Sequence, residues 1–336
     1  MKKKIIVLGA TGSIGQSTLD IIEKCNDKFQ VVGVSANSNK KKLSEICKKF
    51  GPNNVLFSDK NVQNNLQKSE FNGDAKFFFG NDLYQEFFDI DFDLVVNGIS
   101  GFAGIKPTFV VIEKGKDIAI ANKETIVSGG KLIIEKSKLS GSKIIPIDSE
   151  HNALFQLMKN YELHEIDKIT LTASGGPFRR DTYKELSKRK YSEALNHPTW
   201  NMGTKNTIDS ASLMNKGLEV IEASILFSLP SNKISVLVHP ESIIHGIVHL
   251  IDGGIISYMS QPDMRVPIYN AMNFPYTFKH FLPSYEFRNL SFHDLNENIF
   301  PSIKIARLAL EKGFIATNFF NAANEIAVES FLKDEI

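Results

Sequence analysis

The sequence predicts an α/β protein with an N-terminal doubly wound Rossmann-like domain, a central α+β domain, a linker and a C-terminal helical segment. Three observations predict it. The apolar run Ile5 to Leu8 leads directly into a glycine turn and the helical stretch Ser17 to Lys24. Strand-like and helical runs then alternate as far as Asp148. Beyond it, two apolar strands flank Asp252-Gly253-Gly254 as a hairpin would.

In order, the first strand and helix are followed by a second strand around Gln30 to Ser35, which completes a βαβ unit. Further strands are expected at Val55 to Phe57, Leu94 to Asn97, Ile118 to Ala121 and Ile144 to Pro146. The second domain takes strands at Ile169 to Thr172, Ser235 to His239, Ile243 to Leu250 and Ile255 to Met259. Prolines and aromatics replace periodicity from Phe274 to Pro301, as in a linker, and helices are expected at Ser302 to Leu310 and Asn321 to Leu332. The resulting division is 1–148, 149–273, 274–301 and 302–336. No internal repeat or low-complexity tract interrupts it.

At 336 residues the chain is long enough for two domains or more. Hydrophobic residues at 42% and charged residues at 23% describe a globular chain with apolar surface to bury. Lys+Arg at 39 against Asp+Glu at 38 gives a net charge of +1, so no broad basic field awaits a nucleic acid or an acidic membrane. A small anionic ligand fits better. Cys25 and Cys47 cannot build a disulfide framework, and the run Ile5 to Leu8 is far too short to span a bilayer. The compartment expected is the cytoplasm, with both thiols reduced.

Gly9-Ala10-Thr11-Gly12-Ser13-Ile14-Gly15 stands between a strand and a helix, where free N–H groups and the positive helix end can bind a pyrophosphate. An NAD site would place an acid about 20 residues later on the ribose hydroxyl. Here the chain reads Ser35-Ala36-Asn37-Ser38-Asn39-Lys40-Lys41-Lys42, which offers donors to a 2′-phosphate and favours NADP. Taken singly, each lysine is also explained as the solvated start of a helix.

Asp148 and Glu150 end an apolar strand at i and i+2, and extended backbone would aim both carboxylates to one side. Between Ile208 and Glu222, Asp209 or Ser210 can cap a helix on which Asn215, Glu219 and Glu222 recur on one face. A solvated face explains Glu222. Glu219, with Asn215 and Lys216 beside it, gains interest once a pair of carboxylates needs a third oxygen ligand for a hard cation.

Seven motifs in order now resemble the 1-deoxy-D-xylulose 5-phosphate reductoisomerase family along essentially the whole chain. They are the glycine turn at 9–15, Ala-Asn-Lys-Glu at 121–124, Asp-Ser-Glu-His at 148–151 and Ser-Gly-Gly-Pro-Phe at 174–178. His-Pro-Thr-Trp-Asn-Met-Gly at 197–203, Asp-Ser-Ala-Ser-Leu-Met-Asn-Lys-Gly-Leu-Glu at 209–219 and Gln-Pro-Asp-Met-Arg at 261–265 complete the set. The resemblance implies Asp148, Glu150 and Glu219 as ligands of Mg²⁺ or Mn²⁺, and Ser174, Ser210, Asn215 and Lys216 around a substrate phosphate. It further implies Lys123, Ser149 and His197 on the substrate, with Trp200 covering it from a mobile flap and Met202 beneath. From the residue alone, a core or packing role is the commoner reading of a lone tryptophan. For NADPH it implies Thr11, Gly12, Ser13 and Ile14 at the pyrophosphate, Asn37 and Asn39 near the adenine ribose, and Asn122, Glu124 and Gly203 nearer the nicotinamide. Catalysis would rest on Lys123, Asp148, Glu150, His197 and Glu219. The implied reaction converts 1-deoxy-D-xylulose 5-phosphate to 2-C-methyl-D-erythritol 4-phosphate, an isoprenoid precursor, in a homodimer.

Two departures bear on that expectation. The family continues past Asn321-Ala322-Ala323-Asn324-Glu325 into a longer helical domain, so this chain is expected to carry a truncated one, with lower stability or reliance on a dimer partner. Ser38 stands where some relatives carry a basic residue. Two rivals remain: a metal-independent NADP dehydrogenase, which neither cysteine is placed to serve as nucleophile, and a weakly active or non-catalytic nucleotide-binding relative. His239, His245 and His249 lack a cysteine partner and read as strand and turn histidines rather than a zinc site. His151, beside Glu150, could orient a ligating carboxylate.

Overall fold

The computed structural model describes residues 1–71, 75–194, 203–283, 286 and 289–336. They form two compact units: Met1–Thr125, Lys131–Asp148 and Met264–Leu282 make the first, and Ile126–Gly130, Ser149–Asp263 and Pro283–Ile336 the second.

Unit 1 is built on seven parallel strands: β1 (Lys3–Leu8), β2 (Phe29–Ala36), β3 (Asn54–Phe57), β4 (Lys76–Phe79), β5 (Leu94–Asn97), β6 (Asp117–Ile120) and β7 (Ile144–Pro146). Their order is β4-β3-β2-β1-β5-β6-β7. The chain thus winds outward from β1 in one direction, then returns to lay β5 on its other side. That reversal opens a crevice at the carboxyl ends of β1 and β5, where sheets of this kind bind nucleotides. Ile5, Ile6, Val7 and Leu8 are fully buried, as continuous apolar runs covered on both faces must be. The strand β4 is absent from the sequence expectations: Lys-Phe-Phe-Phe is a four-residue edge strand without alternation, held by the stacking of Phe79 on Phe57.

The segment 264–282 joins this unit, although the division drawn above splits it between the central domain and the linker. Its helix Arg265–Asn273 is tied to the first sheet's own elements: Arg265 pairs with Asp20 at 2.9 Å, and Lys3 donates to the carbonyl of Met272 at 2.9 Å. Likewise 302–336 groups with the acidic residues of unit 2 rather than standing apart.

Unit 2 holds a mixed sheet of β8 (Ile166–Ala173), β9 (Ile234–Val238), β10 (Ile244–Leu250) and β11 (Ile255–Met259), ordered β11-β10-β8-β9. β8 and β9 are parallel, and β10 runs antiparallel to both β8 and β11, so the expected hairpin is present. Helix Ser149–Met158 lies close on β10, since a Cβ at Gly246 would stand 3.0 Å from Leu154. The core gathers Leu154, Ile169, Leu171, Val220, Val248 and Ile303.

Two local predictions fail for backbone reasons. Asp209 and Ser210 do not cap the acidic helix: they lie inside a separate helix, Thr204–Ala211, and the next begins at Met214 after Leu213 turns through φ 58°. The last helix spans Phe314–Leu332 and so starts seven residues before Asn321, at Gly313. In its first turns the exposed residues include Phe314, Ile315 and Phe319 while Thr317 and Asn321 are buried, which hides the period that marks an amphipathic start.

Candidate active site

In unit 1 the glycine turn has the form a phosphate cradle needs. Gly9 has φ 68°, and a Cβ there would meet the carbonyl oxygen of Gly98 at 2.8 Å; at Gly15 it would meet that of Gly9 at 2.4 Å. Only glycine fits at either position. Gly12 differs, because a Cβ there would touch nothing closer than 3.4 Å. It is the exposed N-cap of helix Ser13–Lys24, with no side chain capping the helix end, so the first N–H groups of Ser13 and Ile14 are left to a ligand. At the end of β2, Asn37, Ser38 and Asn39 are exposed; Asn37 accepts from Ser58 Oγ at 2.8 Å, and Asn39 caps helix Lys40–Phe50 through Lys42 N.

After β6, Asn122 caps helix Lys123–Ser140 by accepting from Thr125 N at 3.0 Å, while its amide donates to the carbonyls of Ile99 and Gly101. It thereby fixes the loop after β5 as well as the helix start. Lys123 and Glu124 follow, each buried, and Lys123 is ion-paired to Asp148 at 2.7 Å. The sequence gives no hint of that pairing, since 25 positions separate the partners.

Unit 2 assembles the acids. β7 ends at Pro146 and Glu150 sits in the first turn of helix Ser149–Met158, so the extended-strand argument for its direction is corrected: a helix start aims it. Ser149 Oγ donates to Glu150. Lys216 Nζ donates to Glu150 at 2.7 Å and also to Glu219, while Asn215 Nδ2 donates to Glu219 Oε1 at 2.5 Å. Oxygens of Glu150 and Glu219 lie within 4.8 Å of one another. Burial works to lower the Lys216 pKa, but Glu150 and Glu219 outweigh it and hold the ammonium's pKa above the ordinary value. A lysine buried to 3% exposure between two carboxylates marks a place that favours positive charge.

Glu222 was expected on a solvated face, yet it is 1% exposed and lies 3.5 Å from His151 Nδ1. His151 Nε2 is 2.9 Å from the backbone carbonyl of Glu219. The histidine therefore holds the backbone of a candidate ligand. The signal that could have found Glu222 is its place one helical turn after Glu219. Asp209 is also buried, between Lys205 at 2.6 Å and Asn324 at 2.8 Å, so the last helix is tied to the serine-rich one. Ser174 Oγ accepts from Gly176 N at 3.3 Å, and Ser210 is buried on its helix. Gly203 caps helix Thr204–Ala211, and a Cβ there would meet no atom of the described residues within 4 Å. His197, Trp200 and Met202 lie outside the described residues.

The remaining histidines of the strands are committed locally. His239 lies 2.8 Å from the carbonyl of Ser291 and stacks on Phe292, His249 meets Thr170 Oγ1 at 3.0 Å, and burial pushes His245 down to about 4.

A doubly wound sheet with a glycine cradle in one unit and a lysine-bridged pair of glutamates in the other are the features of a nucleotide-binding α/β enzyme with a candidate cation site. Comparison with known families narrows it. Residues 5–130 match the 1-deoxy-D-xylulose 5-phosphate reductoisomerase family, residues 144–227 its C-terminal domain, and residues 259–336 a further DXP reductoisomerase C-terminal domain. The 1-deoxy-D-xylulose 5-phosphate reductoisomerases of Clostridium kluyveri and Thermodesulfovibrio yellowstonii are each 44% identical over 99% of this chain and 88% of their own lengths. Among solved structures, a DOX-P reductoisomerase in complex with NADPH, fosmidomycin and magnesium superposes with a TM-score of 0.93 at 36% identity, covering 99% of this chain and 86% of that one. The Zymomonas mobilis reductoisomerase in complex with NADPH gives 0.92 at 38%, covering 100% and 88%. The chain belongs to the 1-deoxy-D-xylulose 5-phosphate reductoisomerase family.

Proposed function

We propose that this chain converts 1-deoxy-D-xylulose 5-phosphate to 2-C-methyl-D-erythritol 4-phosphate with NADPH and a divalent cation, as its relatives' names and bound groups suggest. The observation that carries the proposal is the Glu150–Lys216–Glu219 cluster, in which the half-buried Glu150 and the buried Glu219 are drawn together around positive charge. Oxygen ligands without thiolate suit Mg²⁺ or Mn²⁺. Asp148 is the third ligand proposed: it precedes Glu150 by two residues, so covalent geometry keeps their Cα atoms within about 7 Å. A cation bound there would polarise the substrate carbonyl as a Lewis acid.

The chain's own residues do the rest. Asp148, Glu150 and Glu219 would hold the cation, and His151 steadies Glu219 through its backbone. Lys216 and Asn215, with Ser174 and Ser210, would hold the substrate phosphate, the positive charge between the glutamates then being supplied by the cation. Lys123 and Ser149 hold the substrate's reacting end, and His197 and Trp200 close over it. Thr11, Gly12, Ser13 and Ile14 hold the NADPH pyrophosphate, Asn37 and Asn39 the adenine ribose, and Asn122, Glu124 and Gly203 the nicotinamide side. Phosphate contacts remote from the reacting carbons would supply binding energy that positions them.

In this proposal the first unit serves the nucleotide and the second serves catalysis and dimerisation. A cytoplasmic homodimer is proposed with it. No described helix is long and apolar enough to cross a membrane, and β11 is a sheet edge whose Ile255 is 65% exposed, the kind of strand that a second copy can cover. The test is to follow NADPH absorbance with 1-deoxy-D-xylulose 5-phosphate. Turnover that needs added Mg²⁺ or Mn²⁺ supports the proposal, and turnover undiminished by a chelator overturns it.

A further inference from the structure

Ser38 leaves a gap in the cofactor site, because the end of β2 then carries no basic residue until the lysine triplet, and a 2′-phosphate dianion is held best by a charged donor. The three lysines are equivalent in sequence and distinct in structure. Lys40 reaches away from the glycine turn, donating to the carbonyl of Asn65 at 3.2 Å, and Lys41 is exposed. Lys42 folds back: its Nζ donates to the carbonyl of Thr11 at 2.9 Å, although 31 positions separate them. Its ammonium is thus fixed beside the glycine turn. Its own backbone N–H is also held, by Asn39 Oδ1 at 3.1 Å, so the residue is anchored at both ends next to the exposed Asn37-Ser38-Asn39 stretch.

We infer that Lys42 is the residue that sets the preference for NADPH over NADH, supplying the charge for the 2′-phosphate in place of a basic residue at position 38. The inference rests on the NADPH reading above. An ammonium has three N–H groups, and the described contact uses one, so two remain for phosphate oxygens while the Thr11 carbonyl keeps the group in place. The same contact links the two ends of the cofactor's adenylate site, the turn that takes pyrophosphate and the strand end that takes the ribose. NADH lacks the phosphate and would draw nothing from Lys42.

The experiment measures dissociation constants for NADPH and NADH with the wild-type chain and with Lys42→Ala, Lys42→Arg, Lys40→Ala and Lys41→Ala. The expected result is an affinity for NADPH reduced about 10- to 100-fold in Lys42→Ala, the worth of a charged hydrogen bond, with NADH unchanged and Lys42→Arg largely rescued. Lys40→Ala and Lys41→Ala should keep the wild-type ratio. A wild-type chain that prefers NADPH while Lys42→Ala keeps the full preference overturns this inference alone. A wild-type chain that binds both nucleotides equally overturns the NADPH reading, and this inference with it.

Discussion

At the scale of single residues, the balance of charge around Lys216 is the feature with the sharpest consequences. The ammonium offsets one of the two negative charges that Glu150 and Glu219 bring together, and Lys216 and Glu219 are themselves buried. Removing one partner of a buried ion pair typically costs about 3–5 kcal/mol. Lys216→Ala should therefore lower the melting temperature without added metal, and Mg²⁺ or Mn²⁺ should restore much of the loss, more than either ion stabilises the wild type. A metal-independent loss, measured by thermal unfolding, would show that the glutamates do not share a cation. Glu219→Gln keeps the shape of the side chain and removes its charge. It should cut metal-dependent NADPH oxidation by about 10²- to 10³-fold, the scale of losing one electrostatic stabiliser, with the fold retained. Unchanged turnover would contradict the ligand assignment. Cys47 offers a negative control on reactivity: it is fully buried, and burial pushes its thiol up to about 12. It should resist alkylation in the native protein and react on unfolding, which peptide mass spectrometry would reveal.

At the scale of elements, the contrast between what the sequence reveals and what it conceals has a physical basis. β1 and the glycine turn are legible because a buried apolar run followed by closely spaced glycines leaves few other structures. The helix holding Asn215 and Glu219 is legible from its polar face, but its start is not: Leu213 adopts φ 58°, a conformation that a leucine gives no reason to expect. Glu150 and Lys216 are 66 positions apart, and Lys123 and Asp148 are 25; no local pattern encodes either meeting. Glu222 misleads because a glutamate on a helix is ordinarily solvated, whereas here it is buried beside His151, which arrives from another helix. Close helix approach yields a further prediction. A Cβ at Gly217 would stand 3.0 Å from both the Phe320 ring and the Ser302 carbonyl. Gly217→Ala should destabilise the chain by about 1–3 kcal/mol, as overpacking does, despite alanine's better helix propensity. A stabilised variant in denaturant unfolding would show that the three helices are not seated so closely.

At the scale of the whole molecule, the family likeness extends over 99% of the chain, while the catalytic proposal depends on a few side chains at two stretches far apart in sequence. The cofactor proposal follows from a glycine cradle at a topological switch, and the cation proposal starts from a lysine-bridged pair of glutamates. The homodimer proposal belongs here too. Sedimentation should report twice the chain mass, and charged substitutions along the exposed edge at Ile255 should shift it toward the monomer. The central proposal is most directly tested at Asp148, Glu150 and Glu219, which together would bind one divalent ion. Equilibrium dialysis with Mn²⁺ should give one tightly held ion per wild-type chain and a large loss of affinity in Glu219→Gln and in Asp148→Asn. Equal Mn²⁺ binding by all three proteins would contradict it.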